Sequence, residues 1–239
     1  MNLKDAGVLI TGGSNGYGRG MAKVLKEAGA NVWITGREEA RLRKAEEDLG
    51  VRGVVADVSS PEDWDRVMQS TGNIDILINN AGSGGRIGPL WEQSDEEIIR
   101  TIQTNLTGAV LGCRRAGKIM AERGSGIIIN ISSVCALYAW PGWSVYTAAK
   151  AGLSKFSHGL YTELRPFGVR VTCVTPSWGR TGFNQAARIT GASENPELAE
   201  KCIGPEELGN LVRSIIEQPD HLAVPDITIQ PVIQDISPM

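Results

Sequence analysis

The feature that most constrains the fold of this chain is a series of short apolar runs separated by helical segments. Each run is nearly continuous in its apolar character and rich in β-branched residues. Strands that are apolar on both faces are typical of a parallel sheet covered by helices on both sides, and parallel strands need crossover connections. The pattern predicts strands at 7–11, 31–35, 53–57, 74–79, 126–132 and 169–175. We therefore expect an α/β fold with a doubly wound, Rossmann-like parallel sheet.

The length of 239 residues and the hydrophobic fraction of 41% suffice for one sizeable core, so we expect a single domain over residues 1–239. One segment departs from the alternation of strands and helices. Residues 176–204 are rich in Gly, Pro, Asn and Ser and are long for a connection between a strand and a helix. This segment is either a functional lid or disordered, and we favour a substrate lid because Trp178 and Phe183 are costly to leave in a solvated loop.

The charge, cysteine and histidine content argue against several classes of function. The 24 basic and 27 acidic side chains give a formal net charge of −3, so neither a nucleic acid nor an acidic membrane is expected as a partner. The four cysteines lie far apart without CxxC spacing and there are two histidines, so we expect neither disulfides nor a metal site. No run approaches the roughly 20 apolar residues that span a bilayer. A cytoplasmic protein is the simplest expectation.

The first predicted strand leads directly into a turn rich in glycine. Residues 11–18 read TGGSNGYG, and a helical segment at 17–28 follows at once. Glycine permits a tight turn and close approach of the backbone, and the free N–H groups at a helix start attract a pyrophosphate. A plain turn between strand and helix is the alternative. The position of the turn in the first βαβ unit favours dinucleotide binding.

Several motifs together carry a resemblance to one family. The TGxxxGxG pattern at 11–18 resembles the fingerprint of the short-chain dehydrogenase/reductase family. In chain order, NNAG at 79–82, the helix asparagine Asn105, a serine segment at 129–133 and YxxxK at 146–150 also match family motifs. The resemblance extends from about residue 7 to 181, most of the chain. It implies a single domain that binds a dinucleotide and catalyses hydride transfer.

Tyr146 and Lys150 are four residues apart, a spacing that places both side chains on one face of a helix. A tyrosine with a pKa of about 10 is a poor proton acceptor near neutrality, but a nearby lysine ammonium favours the phenolate and lowers that pKa. We therefore expect Tyr146 to act as the general acid/base. An isolated YxxxK is otherwise interpreted as an amphipathic helix with an exposed tyrosine and a lysine that reaches into solvent.

The resemblance supplies two further catalytic candidates. Ser133 lies 13 residues before Tyr146, which is the spacing of the family, at the carboxyl end of a predicted strand. The family's pattern implies that the Ser133 hydroxyl holds the substrate oxygen. Ser132 is the competing candidate for this role, and capping of the strand is the other interpretation of Ser132. Asn105, by resemblance, holds a water that relays protons to Lys150. The expected catalytic residues are Asn105, Ser133, Tyr146 and Lys150.

The resemblance also implies a set of cofactor-binding residues, drawn from the glycine turn, the strand ends and a PGxxxT-like segment after the sixth strand. They are Gly12, Ser14, Asn15, Gly16, Tyr17, Gly18, Arg37, Asp57, Val58, Asn80, Ala81, Gly82, Tyr146, Lys150, Pro176, Gly179 and Thr181. A turn or capping role for Asp57 is compatible with an adenine contact. Ser177 stands where the family's segment has its glycine, which is a departure from the pattern.

The end of the second predicted strand indicates which cofactor is bound. Gly36 occupies the place at which an acidic residue would bind the adenosine ribose and repel a 2′-phosphate. Gly36 has neither an acceptor nor a charge, and the next residue, Arg37, has a planar guanidinium suited to a phosphate. We therefore expect NADP(H) in preference to NAD(H). In the alternative interpretation, Arg37 pairs with Glu38 or Glu39, or points into water.

Aromatic residues precede the YxxxK motif and recur in the predicted lid. We expect a substrate pocket lined by Tyr138, Trp140, Trp143, Trp178 and Phe183. Such apolar walls predict a substrate with a substantial apolar or ring-shaped face, and packing in a subunit interface is the alternative. Polar or anionic recognition by Arg86, Arg180 and Asn184 is a further possibility.

The sequence thus predicts an NADP(H)-dependent oxidoreductase that transfers hydride between nicotinamide and a carbonyl or secondary alcohol of a small molecule. The alternative from another class is a dinucleotide-binding sensor or scaffold of the same fold without turnover. An epimerase or dehydratase is disfavoured by the short chain and the GxxxGxG spacing. The family's subunit contacts, through the helices of Asn105 and Tyr146, imply a homo-oligomer, either a dimer or a tetramer.

Overall fold

Seven parallel strands form one sheet in the computed structural model, which describes residues 1–234 apart from the side chain of Ser193. Every neighbouring pair of strands runs parallel, in the order β3-β2-β1-β4-β5-β6-β7. The strands are β1 (Gly7–Ile10), β2 (Asn31–Gly36), β3 (Arg52–Val55), β4 (Ile76–Asn79), β5 (Gly126–Ile131), β6 (Val169–Pro176) and β7 (Asp226–Ile229). The order reverses direction between β1 and β4, which is the point where ligands of open α/β sheets bind.

Helices connect the strands and cover both faces of the sheet. They are α1 (Gly16–Glu27), α2 (Glu39–Leu49), α3 (Pro61–Thr71), α4 (Asp95–Ile102), α5 (Gly108–Arg123), α6 (Ser144–Leu164), α7 (Phe183–Ala186), α8 (Pro196–Ala199) and α9 (Pro205–Ile216). Short 3₁₀ turns occupy Leu90–Glu92, Val134–Ala136, Arg165–Phe167 and Ala192–Glu194, and a π turn at Gln103–Thr107 joins α4 to α5. No helix among the described residues is long and apolar enough to cross a membrane.

The sheet is buried on both faces because successive side chains of a strand point to opposite sides. Val8 and Ile10 of β1 belong to one apolar cluster, and Leu9 between them belongs to the other. The first cluster includes Met21 and Leu25 of α1 and Leu208 and Val212 of α9, and the second includes Trp64 of α3, Met120 of α5 and Leu160 of α6. Two layers of helices around one parallel sheet confirm the predicted doubly wound fold.

The predicted strands agree with the observed ones to within a few residues at each end, and β7 is the strand that the apolar pattern did not predict. β7 is only four residues long, and its residues alternate between exposed and half-buried positions. It pairs with β6 alone, at the edge of the sheet. An edge strand of this kind lacks the continuous apolar run by which the buried parallel strands were recognised.

The segment at 176–204 has defined structure and runs over the carboxyl end of the sheet. It contains α7 and α8, and its two ends are joined by a parallel bridge between Gly179 and Ile203. The Ile203 N–H donates to the Trp178 carbonyl at 2.8 Å, and the Arg180 N–H donates to the Ile203 carbonyl at 2.9 Å. Backbone pairing of this kind favours the lid interpretation over a disordered loop.

Candidate active site

A cavity of about 650 Å³ opens at the carboxyl ends of the strands. It is lined by the glycine turn after β1, by the ends of β2 to β6, by the first turns of α6 and by the segment that contains α7. One cavity therefore brings together the sequence motifs that lie far apart in the chain. Of the predicted cofactor residues, Gly18 alone is outside the lining, since it packs against the turn itself.

The glycine turn can be built only with glycine at several positions. Gly12 and Gly16 have φ angles of +65° and +49°, in the left-handed region that favours glycine. A Cβ atom at Gly18 would lie 2.2 Å from the Gly12 carbonyl oxygen, and one at Gly13 would lie 2.4 Å from the Ile34 Cγ2 atom. The tight turn brings the start of α1 to the cavity, where its N–H groups suit a pyrophosphate.

The end of β4 braces this turn. The Asn80 amide donates to the Thr11 carbonyl at 3.0 Å and to the Gly12 carbonyl at 3.2 Å. The Thr11 hydroxyl oxygen accepts the N–H groups of Asn80 and Ala81, each at 3.0 Å. The NNAG motif therefore holds the glycine turn in place as well as lining the cavity.

Tyr146 and Lys150 are both deeply buried on α6, with exposed fractions of 7% and 4%. The Lys150 Nζ atom lies 5.8 Å from the centroid of the Tyr146 ring and donates to the Ile131 carbonyl at 2.8 Å. The spacing of four residues thus places both groups in one site, as expected. The interpretation as an exposed tyrosine and a solvated lysine does not fit this burial.

The pKa of Tyr146 departs from the expectation. Burial raises the pKa of the Tyr146 phenol above its usual value, and a hydrogen-bonding interaction with Ser133 lowers it by less. Burial also lowers the pKa of Lys150 to about 8. The expected lowering of the Tyr146 pKa by the Lys150 ammonium is therefore wrong for the protein alone, because desolvation penalises both charged forms.

The structure distinguishes the two neighbouring serines. The Ser132 hydroxyl is buried and lies 3.1 Å from the Lys150 carbonyl, to which it donates, and 2.7 Å from the Ser154 hydroxyl. Ser132 thus ties β5 to α6. Ser133 is half-buried, accepts the Cys135 N–H at 3.2 Å and interacts with the Tyr146 phenol. Ser133 is the serine whose hydroxyl lies beside Tyr146.

Asn105 is held in the π turn between α4 and α5 and is only 1% exposed. Its amide donates to the carbonyls of Ser83 and Thr101 at 2.7 and 2.9 Å, and its oxygen accepts the Ser83 N–H at 3.2 Å. A Cβ atom at Gly82 would lie 2.8 Å from the Asn105 Oδ1 atom and 3.5 Å from the Lys150 Nζ atom. The space beside Gly82 is therefore reached by both side chains.

At the opposite end of the cavity, the exposed Arg37 follows β2. Glu38 pairs with Arg41 at 3.0 Å and Glu39 pairs with Arg43 at 3.6 Å, and Arg37 forms no ion pair with any residue in the described part of the chain. A Cβ atom at Gly36 would lie 3.0 Å from the Ser14 hydroxyl, so a larger side chain at that position would crowd the glycine turn. The alternative of a pairing with Glu38 or Glu39 is not observed.

Arg41 also lines the cavity and was missed in the sequence. Arg41 could have been predicted from its spacing of four residues from Arg37 and from its place in the first turn of α2, where the helix dipole disfavours a cation. Asp57, which the sequence did predict, lines the cavity beside Val58. Its carboxylate also accepts the Ser59 N–H at 2.9 Å, so the turn role accompanies the cavity position.

Three aromatic rings surround the expected reaction position. The rings of Trp143 and Tyr146 are 5.7 Å apart in an edge-on arrangement, and the rings of Trp143 and Phe183 stack at 6.2 Å. The rings of Tyr146 and Phe183 are 5.4 Å apart. Trp140 and Trp178 also line the cavity.

The structure does not bring all of the predicted pocket residues into the lining. Tyr138 lies outside it and packs edge-on against Trp140 at 6.3 Å. Arg86 and Arg180 are also outside, and the Arg86 guanidinium is bound to Glu92. Asn184 does line the cavity, with its amide donating to the Glu194 carboxylate at 2.8 Å.

Gln234 is a lining residue that no sequence signal indicated. It accepts a hydrogen bond from the Ser177 hydroxyl, 57 positions earlier in the chain. Ser177 is the residue that departs from the family's PGxxxT segment, and its hydroxyl is what anchors the C-terminal segment to the cavity. In the part of the chain that the structure describes, no cluster of His, Cys, Asp and Glu side chains could hold a metal ion.

Comparison with known proteins matches most of the chain. The family model for short chain dehydrogenases matches residues 6–191. A serine 3-dehydrogenase of Rhizobium radiobacter is 31% identical over 239 aligned positions, which cover 96% of this chain and 95% of that protein. The closed form of a serine dehydrogenase complexed with NADP+ superposes with a TM-score of 0.89 at 30% identity and covers 97% of each chain. A metagenomic short-chain oxidoreductase in complex with NADP gives a TM-score of 0.82 at 27% identity, covering 98% of this chain and 100% of that one.

Proposed function

Since the chain belongs to the short-chain dehydrogenase family of oxidoreductases, we propose that it transfers hydride between NADP(H) and a carbonyl or secondary alcohol carbon, with Tyr146 as the general acid/base. The observation that carries the proposal is the meeting of Ser133, Tyr146 and Lys150 in the cavity that the glycine turn lines. When bound, the nicotinamide supplies or accepts the hydride.

The residues at the adenosine end fit a phosphorylated dinucleotide. The turn at 11–18 offers a cradle that Cβ atoms would fill, at the start of a helix 12 residues long. Arg37 has no ion-pair partner among the residues described, so its guanidinium is available for a 2′-phosphate. Arg41 lines the same wall, but its charge is paired with that of Glu38 at 3.0 Å. The NADP complexes of the similar structures agree with this choice, with NAD(H) as the weaker alternative.

In the direction of reduction, Tyr146 donates its phenolic proton to the substrate oxygen while Ser133 holds that oxygen by a hydrogen bond. A phenol with a raised pKa keeps its proton near neutrality, which suits the role of an acid. Lys150 binds the nicotinamide ribose, and its ammonium favours the phenolate that remains. A water held by Asn105 would replace this proton through Lys150.

The serine dehydrogenases among the similar proteins raise serine as a substrate for this chain. The aromatic rings at the reaction end of the cavity are better suited to an apolar molecule than to a small zwitterion. Serine therefore enters the test below as one member of a panel rather than as the proposed substrate.

The test is steady-state kinetics of the purified chain with NADPH and a panel of ketones and aldehydes, and with NADP+ and alcohols that include serine. We expect turnover of at least one carbonyl or alcohol, abolished in Tyr146→Phe. Tight binding of NADPH without turnover of any member would favour the sensor or scaffold alternative. Binding of NADPH itself is followed separately by the fluorescence of the dihydronicotinamide.

We also propose that the chain forms a homo-oligomer through the helices that carry Asn105 and Tyr146. Large apolar side chains are exposed near these helices, among them Trp91 with 85% and Ile99 with 54% of its surface accessible. Exposed apolar surface of this kind marks a contact with another protein. Light scattering on the purified protein tests the proposal, and a monomer at micromolar concentration would contradict it.

A further inference from the structure

The charged side chains that line the cavity lie almost entirely at one end of it. Arg37, Glu38 and Arg41 follow β2, and Asp57 follows β3. At the reaction end, Lys150 is the one charged lining residue among those described, and its ammonium already donates to the Ile131 carbonyl at 2.8 Å. The reaction end therefore offers a substrate no cationic side chain other than Lys150, which the proposed mechanism assigns to the nicotinamide ribose and Tyr146.

Aromatic and other apolar side chains form much of the wall at the reaction end. Trp143 and Phe183 present stacked rings whose planes are 13° apart, and Tyr146 completes the group. Further apolar lining residues are Val134, Cys135, Trp140, Trp178, Ala186 and Ile189, and the polar members of the same segments, such as Asn184 and Thr190, are uncharged. Burial raises the pKa of the Cys135 thiol, so this side chain is neutral as well. Flat aromatic walls favour a ring that stacks or meets them edge-on.

Neither Arg86 nor Arg180 supplies a cation to the reaction end of the cavity. The Arg86 guanidinium donates to the Glu92 carbonyl at 2.6 Å and lies 3.1 Å from the Glu92 carboxylate. Arg180 lies outside the lining, in the backbone bridge to Ile203. A carboxylate beside the reacting carbon would thus be desolvated without an arginine partner, which is unfavourable.

We propose that the substrate is an uncharged ketone or secondary alcohol with an aromatic or alicyclic ring near the reacting carbon, and that the site rejects a carboxylate there. This inference rests on the proposed function, because it names the substrate class of the same site. In oxidation, the carbinol C–H and O–H bonds break, the hydride goes to NADP+ and a C=O bond forms. The alcohol proton goes to the Tyr146 phenolate, which has first released its own proton through Lys150 and water.

The test compares two alcohols that differ in charge and by one methyl group, methyl 3-hydroxy-3-phenylpropanoate and the 3-hydroxy-3-phenylpropanoate anion, each oxidised with NADP+. We expect kcat/KM for the ester to exceed that for the acid by at least about 10-fold, because the anion is left unpaired in the site. L-serine should be a poorer substrate than the ester. Equal values for ester and acid, or a preference for the acid or serine, would overturn the inference.

A matched pair of variants tests the cause of the preference. Ala186 lines the cavity and is exposed, so the fold tolerates a longer side chain there. Ala186→Arg supplies the missing cation and should reduce the ratio of ester to acid by about 10-fold, whereas Ala186→Met, of similar length, should leave the ratio unchanged. If the ratio of kcat/KM for ester to that for acid is the same in Ala186→Arg and Ala186→Met, the missing cation is not the cause of the preference. Thermal melting of both variants checks that they fold.

A binding measurement separates failure of this inference from failure of the proposed function. Trp140, Trp143 and Trp178 line the cavity, so their fluorescence reports the binding of the two alcohols in the presence of NADP+. The panel described above tests the proposed function, and turnover of none of its members would overturn that proposal. If neither of these two alcohols is oxidised, the ratio of their dissociation constants still decides the inference. Tighter binding of the ester supports it, and tighter or equal binding of the acid overturns it.

Discussion

The side chains of Asn105 and Lys150 both approach the backbone of Gly82. A Cβ atom there would lie 2.8 Å from the Asn105 Oδ1 atom and 3.5 Å from the Lys150 Nζ atom. The two residues come from the π turn and from α6, and they are 45 positions apart in the sequence. Glycine at residue 82 is therefore what lets the Asn105 amide approach the backbone this closely, since any other side chain at that position would displace it.

Gly82→Ala should lower kcat by roughly 10-fold or more, because the added methyl group would lie 2.8 Å from the Asn105 Oδ1 atom and displace this side chain from the proposed proton path of Tyr146. The control is Gly159→Ala on α6, where a Cβ atom meets nothing within 4 Å and the change should be neutral or stabilising by about 1 kcal/mol. Steady-state kinetics and thermal melting of both variants measure the effects. Unchanged kcat in Gly82→Ala would contradict the proposed proton path.

Arg37→Ala should raise the KM for NADPH by roughly 10- to 150-fold, since a charge-assisted contact of about 1.5 to 3 kcal/mol is lost. The KM for NADH should change little, because NADH has no 2′-phosphate. Arg43→Ala is the matched control, since Arg43 lies on α2, which follows Arg37, pairs with Glu39 and Glu46 and is outside the cavity. The proposed cofactor preference fails if the wild-type enzyme has equal kcat/KM for NADH and NADPH.

The two serines should respond differently to the loss of their hydroxyls. Ser133→Ala should lower kcat/KM by at least 10-fold with little change in stability, because its hydroxyl holds the substrate oxygen. Ser132→Ala should cost about 1 to 3 kcal/mol of unfolding free energy, because it removes the bonds to Lys150 and Ser154. Kinetics and urea unfolding of both variants measure this. A larger loss of activity in a stable Ser132→Ala variant would reverse the assignment.

The burial of Lys150 predicts how the free energy of unfolding depends on pH. Its pKa falls from 10.5 to about 8 on folding, so the folded state penalises the charged form. The lysine therefore costs stability below pH 8, and the cost disappears as the pH rises from 8 to 10.5. Lys150→Met should be more stable than the wild type at pH 7 by on the order of 3 kcal/mol, and this advantage should shrink at pH 9.5. Urea unfolding at both pH values checks it, and an advantage independent of pH would contradict the pKa.

Much of the fold was predictable because the information is local. The runs that form β4 and β5 are buried at every residue and apolar except at Asn79 and Asn130, and this pattern depends only on the sheet being covered on both faces. The glycine turn was equally clear, because its backbone geometry excludes other residues at Gly12, Gly16 and Gly18. The same holds for Tyr146 and Lys150, whose spacing along one helix fixes their common face.

The features that were missed depend on contacts between distant segments. The bond between Ser177 and Gln234 has no local signature, and the short edge strand β7 lacks an apolar run. The raised pKa of Tyr146 follows from how completely other elements cover the ring, which spacing does not report. Tyr138 was predicted in the pocket for the same reason as Trp140 and Trp143, its aromatic ring just before the YxxxK motif. In the structure it follows the 3₁₀ turn at Val134–Ala136 and packs against Trp140 outside the cavity lining.

The measurement that tests the central claim most directly is the turnover of Tyr146→Phe together with its affinity for NADPH. The substitution removes one hydroxyl and keeps the ring that packs against Trp143 and Phe183. We predict that kcat falls by 10²- to 10⁴-fold, the usual contribution of a general acid/base, while the dissociation constant for NADPH and the melting temperature stay close to the wild-type values. Near-normal turnover in a folded, NADPH-binding Tyr146→Phe variant would contradict the account.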